Sequence, residues 1–134
     1  MEYFTFGNIL KVYNNLKGDS IKTDIANVYD LRSVSSFENY IRTVVAIRNI
    51  CAHGSVMFDL KLNQSITSNG PVSNINNSNK IKLYSAIRVI NYILSKVSEN
   101  RANEMDEQIA NIFNKHKKST EIKDIITNSI GYEF

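Results

Sequence analysis

The sequence predicts an all-α protein, a single bundle of five or six antiparallel helices with one long polar loop. Apolar residues recur at the three- and four-residue spacing of amphipathic helices over most of the chain. Only one proline occurs among the 134 residues, and the turn signals that an all-β protein needs between short strands are absent. A chain of this length can bury one core, so we expect residues 1–134 to form one domain.

Two helices are predicted in the first 30 residues. The first runs from about residue 6 to residue 16 and ends before Gly18. Asp19 or Ser20 is suited to cap a second, short helix, because both side chains can accept a hydrogen bond from the backbone. The apolar residues at helical spacing are Ile9, Leu10, Tyr13 and Leu16 in the first helix and Ile21, Ile25 and Val28 in the second.

The third predicted helix begins after Ser35 or Ser36 and continues to about His53. At about 100° per residue, one face collects the apolar residues, and we expect this face to lie in the core. The residues of this face are Phe37, Tyr40, Ile41, Val44, Ile47 and Cys51. Cys51 is the only cysteine and cannot form an internal disulfide, so we expect a small buried thiol there.

The polar residues near the end of this third helix fall on two different sides of it. Arg48 lies within the apolar stripe, whereas Arg42, Asn49 and His53 lie within about 40° of one another on the far side. Arg48 and His53 are therefore about 140° apart on an ideal helix, while Asn49 and His53 are i,i+4 neighbours. Either the helix loosens before His53, or a second chain completes any site that uses both residues.

Beyond His53, the sequence predicts first an extended segment and then a loop. Over Val56–Leu62, every second position from Val56 onward is apolar, which favours a short extended segment. Residues 64–79 are rich in serine, asparagine and glycine, which is typical of a flexible surface loop.

Three more helices are predicted after this loop. The first begins near residue 80 and the second runs from about residue 103 to residue 117. Their apolar positions are Leu83, Ile87, Ile90, Leu94 and Val97 in the first and Met105, Ile109, Ile112 and Phe113 in the second. Ser119 or Thr120 can cap a short last helix that carries Ile122, Ile125 and Ile126, and Gly131 would end it.

The composition excludes several classes of protein. The formal net charge of +3 is compatible with an RNA partner and equally with many other partners. Neither the cysteine and histidine spacings of a dedicated metal site nor a glycine-rich phosphate loop occurs. No run approaches the roughly 18 apolar residues that a membrane span needs, and the N-terminus does not resemble a secretory signal. We therefore expect a cytoplasmic protein that uses neither a metal ion nor a cofactor.

Residues 46–53 read Ala-Ile-Arg-Asn-Ile-Cys-Ala-His, which brings a guanidinium and an imidazole to the end of a predicted helix. A guanidinium can hold a phosphate through paired charge-assisted hydrogen bonds, and an imidazole can move a proton near neutral pH. The segment RNICAH (48–53), with Gly54 and the apolar run after it, resembles the Abi-like (abortive infection) proteins of the HEPN superfamily. The segment from Thr5 to Leu16 resembles a second part of the same family.

This resemblance implies an all-helical HEPN-like domain that corresponds to the C-terminal half of a longer family member. It also implies a homodimer in which the motif helices of two subunits face one cleft. The implied activity is metal-independent cleavage of RNA in phage defence or as a toxin. Arg48 would hold the phosphate, His53 would act as general base or acid, and Asn49 would orient the imidazole or bind the phosphate. We assign Arg42 to RNA binding.

Two other functions stay open. Family members often carry a second histidine and then Arg-Leu after the motif histidine, where this chain has Gly54-Ser55-Val56. The missing basic group favours a non-catalytic HEPN module that binds RNA or a protein partner such as an antitoxin. The other hypothesis is a helical dimerisation domain without any nucleic-acid role. In that case Arg48 would pack along apolar surface and His53 would interact with the helix dipole.

Overall fold

The computed structural model describes residues 5–134, which form six α-helices. Their bounds are α1 Phe6–Asn15, α2 Asp19–Val28, α3 Val34–Ala52, α4 Leu83–Val97, α5 Glu99–Asn114 and α6 Thr120–Ile125. A 3-10 turn, Asn77–Asn79, precedes α4, and a π-helical turn, Ile126–Ile130, follows α6. The only β-type pairing among the described residues is an isolated antiparallel bridge between Lys61 and Lys82. The predicted all-α fold is confirmed.

Hydroxyl side chains fix where most of these helices begin. Thr5, Ser33, Ser98 and Ser119 each accept a hydrogen bond from the backbone N–H three residues further on. The cap at Ser119 agrees with the sequence prediction. Ser33 makes α3 begin at Val34, slightly earlier than predicted.

One glycine lies at the start of α2 and another lies at the end of the last helical segment. Gly18, with φ 119°, occupies the N-cap position of α2, and no side chain caps that helix. The predicted cap at Asp19 or Ser20 is therefore wrong, because both residues already lie inside the helix. Gly131 ends the π-helical turn after α6 in the left-handed conformation, at φ 85°, as predicted.

The core is centred on α3, which contacts α1, α2 and α4. Tyr40 is fully buried, and its ring meets Tyr92 of α4 edge-on with 5.9 Å between centroids. The Tyr40 hydroxyl accepts a hydrogen bond of 2.8 Å from the backbone N–H of Val72. On the other side, Phe37 packs against Tyr13 of α1 with 4.8 Å between ring centroids. These contacts fix the course of α3 and with it the position of the RNICAH motif.

The long polar loop between α3 and α4 does not lie on the surface throughout. Ile66 and Val72 are only 2% and 5% exposed, and both belong to the main hydrophobic cluster. The Asn39 side chain donates to the carbonyl of Ser65 and accepts from the N–H of Thr67, at 3.0 Å each. The expectation of a simple surface loop is therefore wrong, because two apolar residues and one amide attach it to α3. Its flexibility stays a prediction.

The extended segment predicted over Val56–Leu62 is largely wrong. A turn at Phe58 and Asp59 interrupts it, with Asp59 at φ 55°. Val56 is 78% exposed and Phe58 is 58% exposed, so the alternating apolar residues do not form a buried face. Within residues 5–134 only Lys61 of this segment takes part in a bridge, because no further strand lies beside it.

Several apolar residues that the helical stripes placed toward the core are exposed instead. They are Ile9, Ile21, Val28, Val97, Ile112, Ile122 and Ile125. Each lies on a helix whose neighbours cover only part of its length or circumference, so a regular stripe extends beyond the covered area.

None of the helices in residues 5–134 is long and apolar enough to cross a membrane.

Candidate functional site

The RNICAH motif forms the C-terminal end of α3 and the turn after it. The helix stays α-helical through Ala52, and His53 is its C-cap residue, at φ −91° and ψ 4°. The backbone N–H of His53 still donates to the carbonyl of Asn49, at 3.0 Å. The helix therefore does not loosen before His53, which was one of the two explanations for how Arg48 and His53 could share a site.

All three predicted catalytic side chains, Arg48, Asn49 and His53, are exposed. Arg48 Nη1 donates to Asn49 Oδ1 at 3.2 Å, so two of the three are in direct contact. Among the described residues, no hydrogen bond joins the His53 imidazole to either of them. The structure thus brings Arg48 and Asn49 together and leaves His53 one helical turn away, free to meet a ligand.

The end of α3 extends past the helices that cover its earlier turns. Cys51 is exposed, and its Sγ lies 3.7 Å from Met57 Sδ. The expectation of a buried thiol is therefore wrong, because helical periodicity continues beyond the covered part of the helix. Val56 and Phe58 add exposed apolar surface directly after the motif. The basic and polar side chains of the motif thus lie next to an exposed apolar rim that consists of Val56 and Phe58.

Arg42 lies on α3 closer to its N-terminus than the motif, and it lines an open cavity of about 430 Å³. One wall of the cavity is α3 and the opposite wall is the segment 60–64, which follows the turn at Asp59. The apolar lining consists of Leu10, Val45, Ala46, Ile50, Leu60 and Leu62. Lys61 contributes a second cation to the lining. Arg42 is predicted from the sequence as an RNA-binding residue, whereas Lys61 is not, because its position beside α3 depends on tertiary structure.

Within residues 5–134, no group of three or more histidine, cysteine, aspartate and glutamate side chains is placed to hold a metal ion. The end of α3 presents the exposed thiol of Cys51 and, from the three predicted catalytic residues, a guanidinium, an amide and an imidazole. Together they can bind an anion and transfer a proton.

Residues 1–59 match the family model described as Abi-like protein. The matched region contains α1, α2 and α3, and therefore the whole RNICAH motif. It also contains the segment Thr5–Leu16, so the Abi-like resemblance predicted from the two segments is confirmed. Searches of the curated proteins and of the solved structures each gave no match.

Proposed function

We propose that the chain, whose residues 1–59 match the Abi-like family model, is a metal-independent endoribonuclease of the HEPN type. It would act in abortive infection or as a toxin by cleaving RNA. The observation that carries this proposal is the exposed set Arg48, Asn49 and His53 at the end of α3, inside the region matched by the family. These side chains supply the anion binding and proton transfer that RNA cleavage requires.

In the proposed reaction, the RNA 2′-oxygen attacks the adjacent phosphorus. The O2′–P bond forms and the P–O5′ bond breaks, leaving a 2′,3′-cyclic phosphate and a 5′-hydroxyl. The His53 imidazole takes the proton of the 2′-hydroxyl, and the His53 imidazolium of a second copy of the chain gives a proton to the leaving O5′. Arg48 stabilises the negative charge that develops on the phosphate oxygens. Asn49 positions the Arg48 guanidinium through their hydrogen bond.

We propose further that two copies of the chain form the active enzyme. The helix is regular through Ala52, so an ideal separation of about 140° keeps Arg48 and His53 of one chain on different sides. Two α3 ends that face each other would bring Arg48 of one copy near His53 of the other. Val56 and Phe58 support this arrangement, because a partner copy would cover their exposed apolar surface.

Replacing Phe58 by serine is expected to weaken the dimer by at least about tenfold, because each copy loses an aromatic contact at the rim. RNA cleavage at low protein concentration should fall in parallel. Sedimentation equilibrium gives the dissociation constant, and Ile112→Ser on α5 is the matched control. Phe58 is 58% exposed and Ile112 is 56% exposed, so both substitutions remove similar surface. A Phe58→Ser chain as dimeric as the unmodified protein would contradict this arrangement.

The enzymatic proposal is tested by incubating the purified protein with transfer RNA and with phage RNA in the presence of EDTA. We expect cleavage products that carry 2′,3′-cyclic phosphate ends, identified by mass spectrometry. A DNA strand of the same sequence should remain intact, because it lacks the attacking 2′-hydroxyl. RNA left whole by the dimer, or cleavage that requires a divalent ion, would overturn the proposal.

The second candidate is a non-catalytic HEPN module that binds RNA or a protein partner such as an antitoxin. The segment 54–58 favours it, because it presents the exposed Val56 and Phe58 and no basic side chain directly after His53. This module would bind RNA in a salt-sensitive way or bind a partner protein, and it would cut neither tRNA nor phage RNA.

A further inference from the structure

We propose that the cavity between α3 and segment 60–64 is a subsite for one unpaired base of a single-stranded RNA, with Arg42 and Lys61 binding the flanking phosphates. The inference rests on the proposed function and names the class of RNA that the enzyme would take. Neither Lys61 nor the cavity is predicted from the sequence.

The lining of the cavity suits an anionic ligand with a flat apolar part. Its volume of about 430 Å³ falls within the usual range of small-ligand pockets. Apolar side chains from α1, α3 and segment 60–64 provide surface for a ring, while Thr43, Asn63 and Gln64 offer hydrogen-bonding groups to its edges. Among the described residues that line the cavity, the charged side chains are those of Arg42 and Lys61, and both are cationic.

Both cations are available to a ligand. In the part of the chain that the structure describes, neither Arg42 nor Lys61 forms an ion pair, and both are exposed. Glu38 lies one helical turn before Arg42 and forms no ion pair with it within those residues. Two unneutralised cations beside an apolar cavity create the potential that attracts a phosphate backbone.

The cavity lies on the same side of α3 as His53. Ala46 lines the cavity, and Asn49 and His53 follow it at the three- and four-residue spacing that places residues on one helix side. Seven residues of helix correspond to about 10 Å along the axis. An RNA strand whose base enters the cavity beside Ala46 can therefore continue along α3 and bring a nearby phosphate to the end of the helix.

Hydrogen bonds attach the wall opposite α3 to neighbouring elements. Leu62 donates its N–H to the carbonyl of Ile81 at 2.7 Å, and Gln64 contacts the Asn39 carbonyl at 3.5 Å. A cavity with walls attached in this way accepts a base only after the base has left its stack, which costs a few kcal/mol in a duplex and little in a single strand. The geometry therefore predicts cleavage in single-stranded regions and loops.

The test uses a short fluorescein-labelled single-stranded RNA with 2′-O-methyl sugars, which the enzyme cannot cut, and the corresponding duplex. Fluorescence anisotropy is measured over a range of salt concentrations. We expect the single strand to bind at least about tenfold more tightly than the duplex, because unstacking a paired base opposes binding. Replacing Arg42 or Lys61 by glutamine should each reduce the salt dependence by about 0.7 in the slope of log affinity against log salt.

Filling the cavity separates the base subsite from general charge attraction. Ala46→Leu should weaken binding of the single strand by about tenfold and change the salt slope little, because it removes space rather than charge. Ala46→Ser keeps the volume small and serves as its control, while Lys115→Gln is the control for the charge substitutions. Equal binding of single strand and duplex would overturn the inference. Unchanged binding by Ala46→Leu, or an equal loss in Lys115→Gln, would overturn it as well.

Failure of this inference and failure of the proposed function give different results. A protein that cuts RNA but binds the single strand equally well after Ala46→Leu is a nuclease without this subsite, which overturns the inference alone. A protein that binds the single strand through the cavity and cuts neither tRNA nor phage RNA retains the subsite, and the nuclease proposal is overturned.

Discussion

Replacing His53 by alanine is expected to lower the rate of RNA cleavage by about 10³-fold, the usual contribution of a general acid or base. A guanidinium and an amide are poor proton-transfer groups, so neither Arg48 nor Asn49 can replace the imidazole as general base or acid. The thermal unfolding midpoint should change little, because the His53 side chain is exposed. Cleavage of a labelled RNA under single-turnover conditions in EDTA measures the effect.

His116→Ala is the matched control for this substitution, since His116 is also exposed and lies just after a helix, at the end of α5. It should cleave RNA at the unmodified rate. A His53→Ala protein that cleaves as fast as the His116→Ala protein would contradict the assignment of His53.

The Arg48 guanidinium should contribute a second, separable effect to the same reaction. Arg48→Ala is expected to lower cleavage by about 10² to 10³-fold, because a preorganised charge that stabilises the transition state is lost. Arg48→Lys retains the charge but cannot form two parallel hydrogen bonds to a phosphate, so only a partial recovery is expected. Full activity of Arg48→Ala would indicate that the guanidinium serves structure alone.

Replacing Tyr40 by phenylalanine is expected to destabilise the fold by about 1–3 kcal/mol, although the change removes a single oxygen atom. The Tyr40 hydroxyl is the hydrogen-bond acceptor for the buried N–H of Val72, at 2.8 Å. Phenylalanine would leave this buried N–H without its acceptor. Tyr40→Ala should cost about 3–5 kcal/mol, because it also leaves a cavity beside Tyr92. Urea unfolding followed by circular dichroism measures both values.

Tyr84→Phe provides the control for the missing hydroxyl. Within residues 5–134 the Tyr84 hydroxyl forms no hydrogen bond, so its removal should change the free energy of unfolding by less than about 0.5 kcal/mol. A Tyr40→Phe protein as stable as Tyr84→Phe would show that the loop does not depend on the Tyr40 hydroxyl. The close packing of the loop makes that outcome unexpected, because a Cβ atom at Gly70 would collide with this hydroxyl.

Ionisation of the Tyr40 phenol should also make the free energy of unfolding depend on pH. Burial raises the pKa of the Tyr40 phenol above its ordinary value of 10.0, and the Val72 N–H opposes this only in part. Its contribution to stability is fully present below about pH 10 and is lost as pH rises through the raised pKa, because the unfolded chain releases this proton first. The free energy of unfolding should therefore fall more steeply above pH 10 in the unmodified protein than in Tyr40→Phe.

The helical architecture could be predicted from the sequence because its determinants are local. Apolar spacing identified all six helices, and Ser119 and Gly131 fixed an end of the last helical segment through hydrogen bonds within a few residues. The predicted starts of α2 and α3 were wrong because a residue slightly earlier in the chain occupies the N-cap position. Ser33 caps α3 ahead of the predicted start, and Gly18 occupies the cap position of α2.

The candidate site was predictable only in part. The residue types of the motif and the angular separation of Arg48 and His53 follow from the sequence and ideal helix geometry. The hydrogen bond between Arg48 and Asn49 and the exposure of Cys51 do not, because they depend on where the neighbouring helices stop covering α3. Lys61 could not be identified, since a bridge to Lys82 holds its segment beside α3.

The sequence alone thus determined that the chain is helical and where its chemistry-bearing residues lie along α3. Only the tertiary structure decided which parts of α3 are covered, that Ile66 and Val72 pack into the core, and that Arg42 and Lys61 share one cavity. The reason is the range of the interactions. Helix periodicity and capping act over three or four residues, whereas burial and cavity formation depend on segments that are distant in the chain.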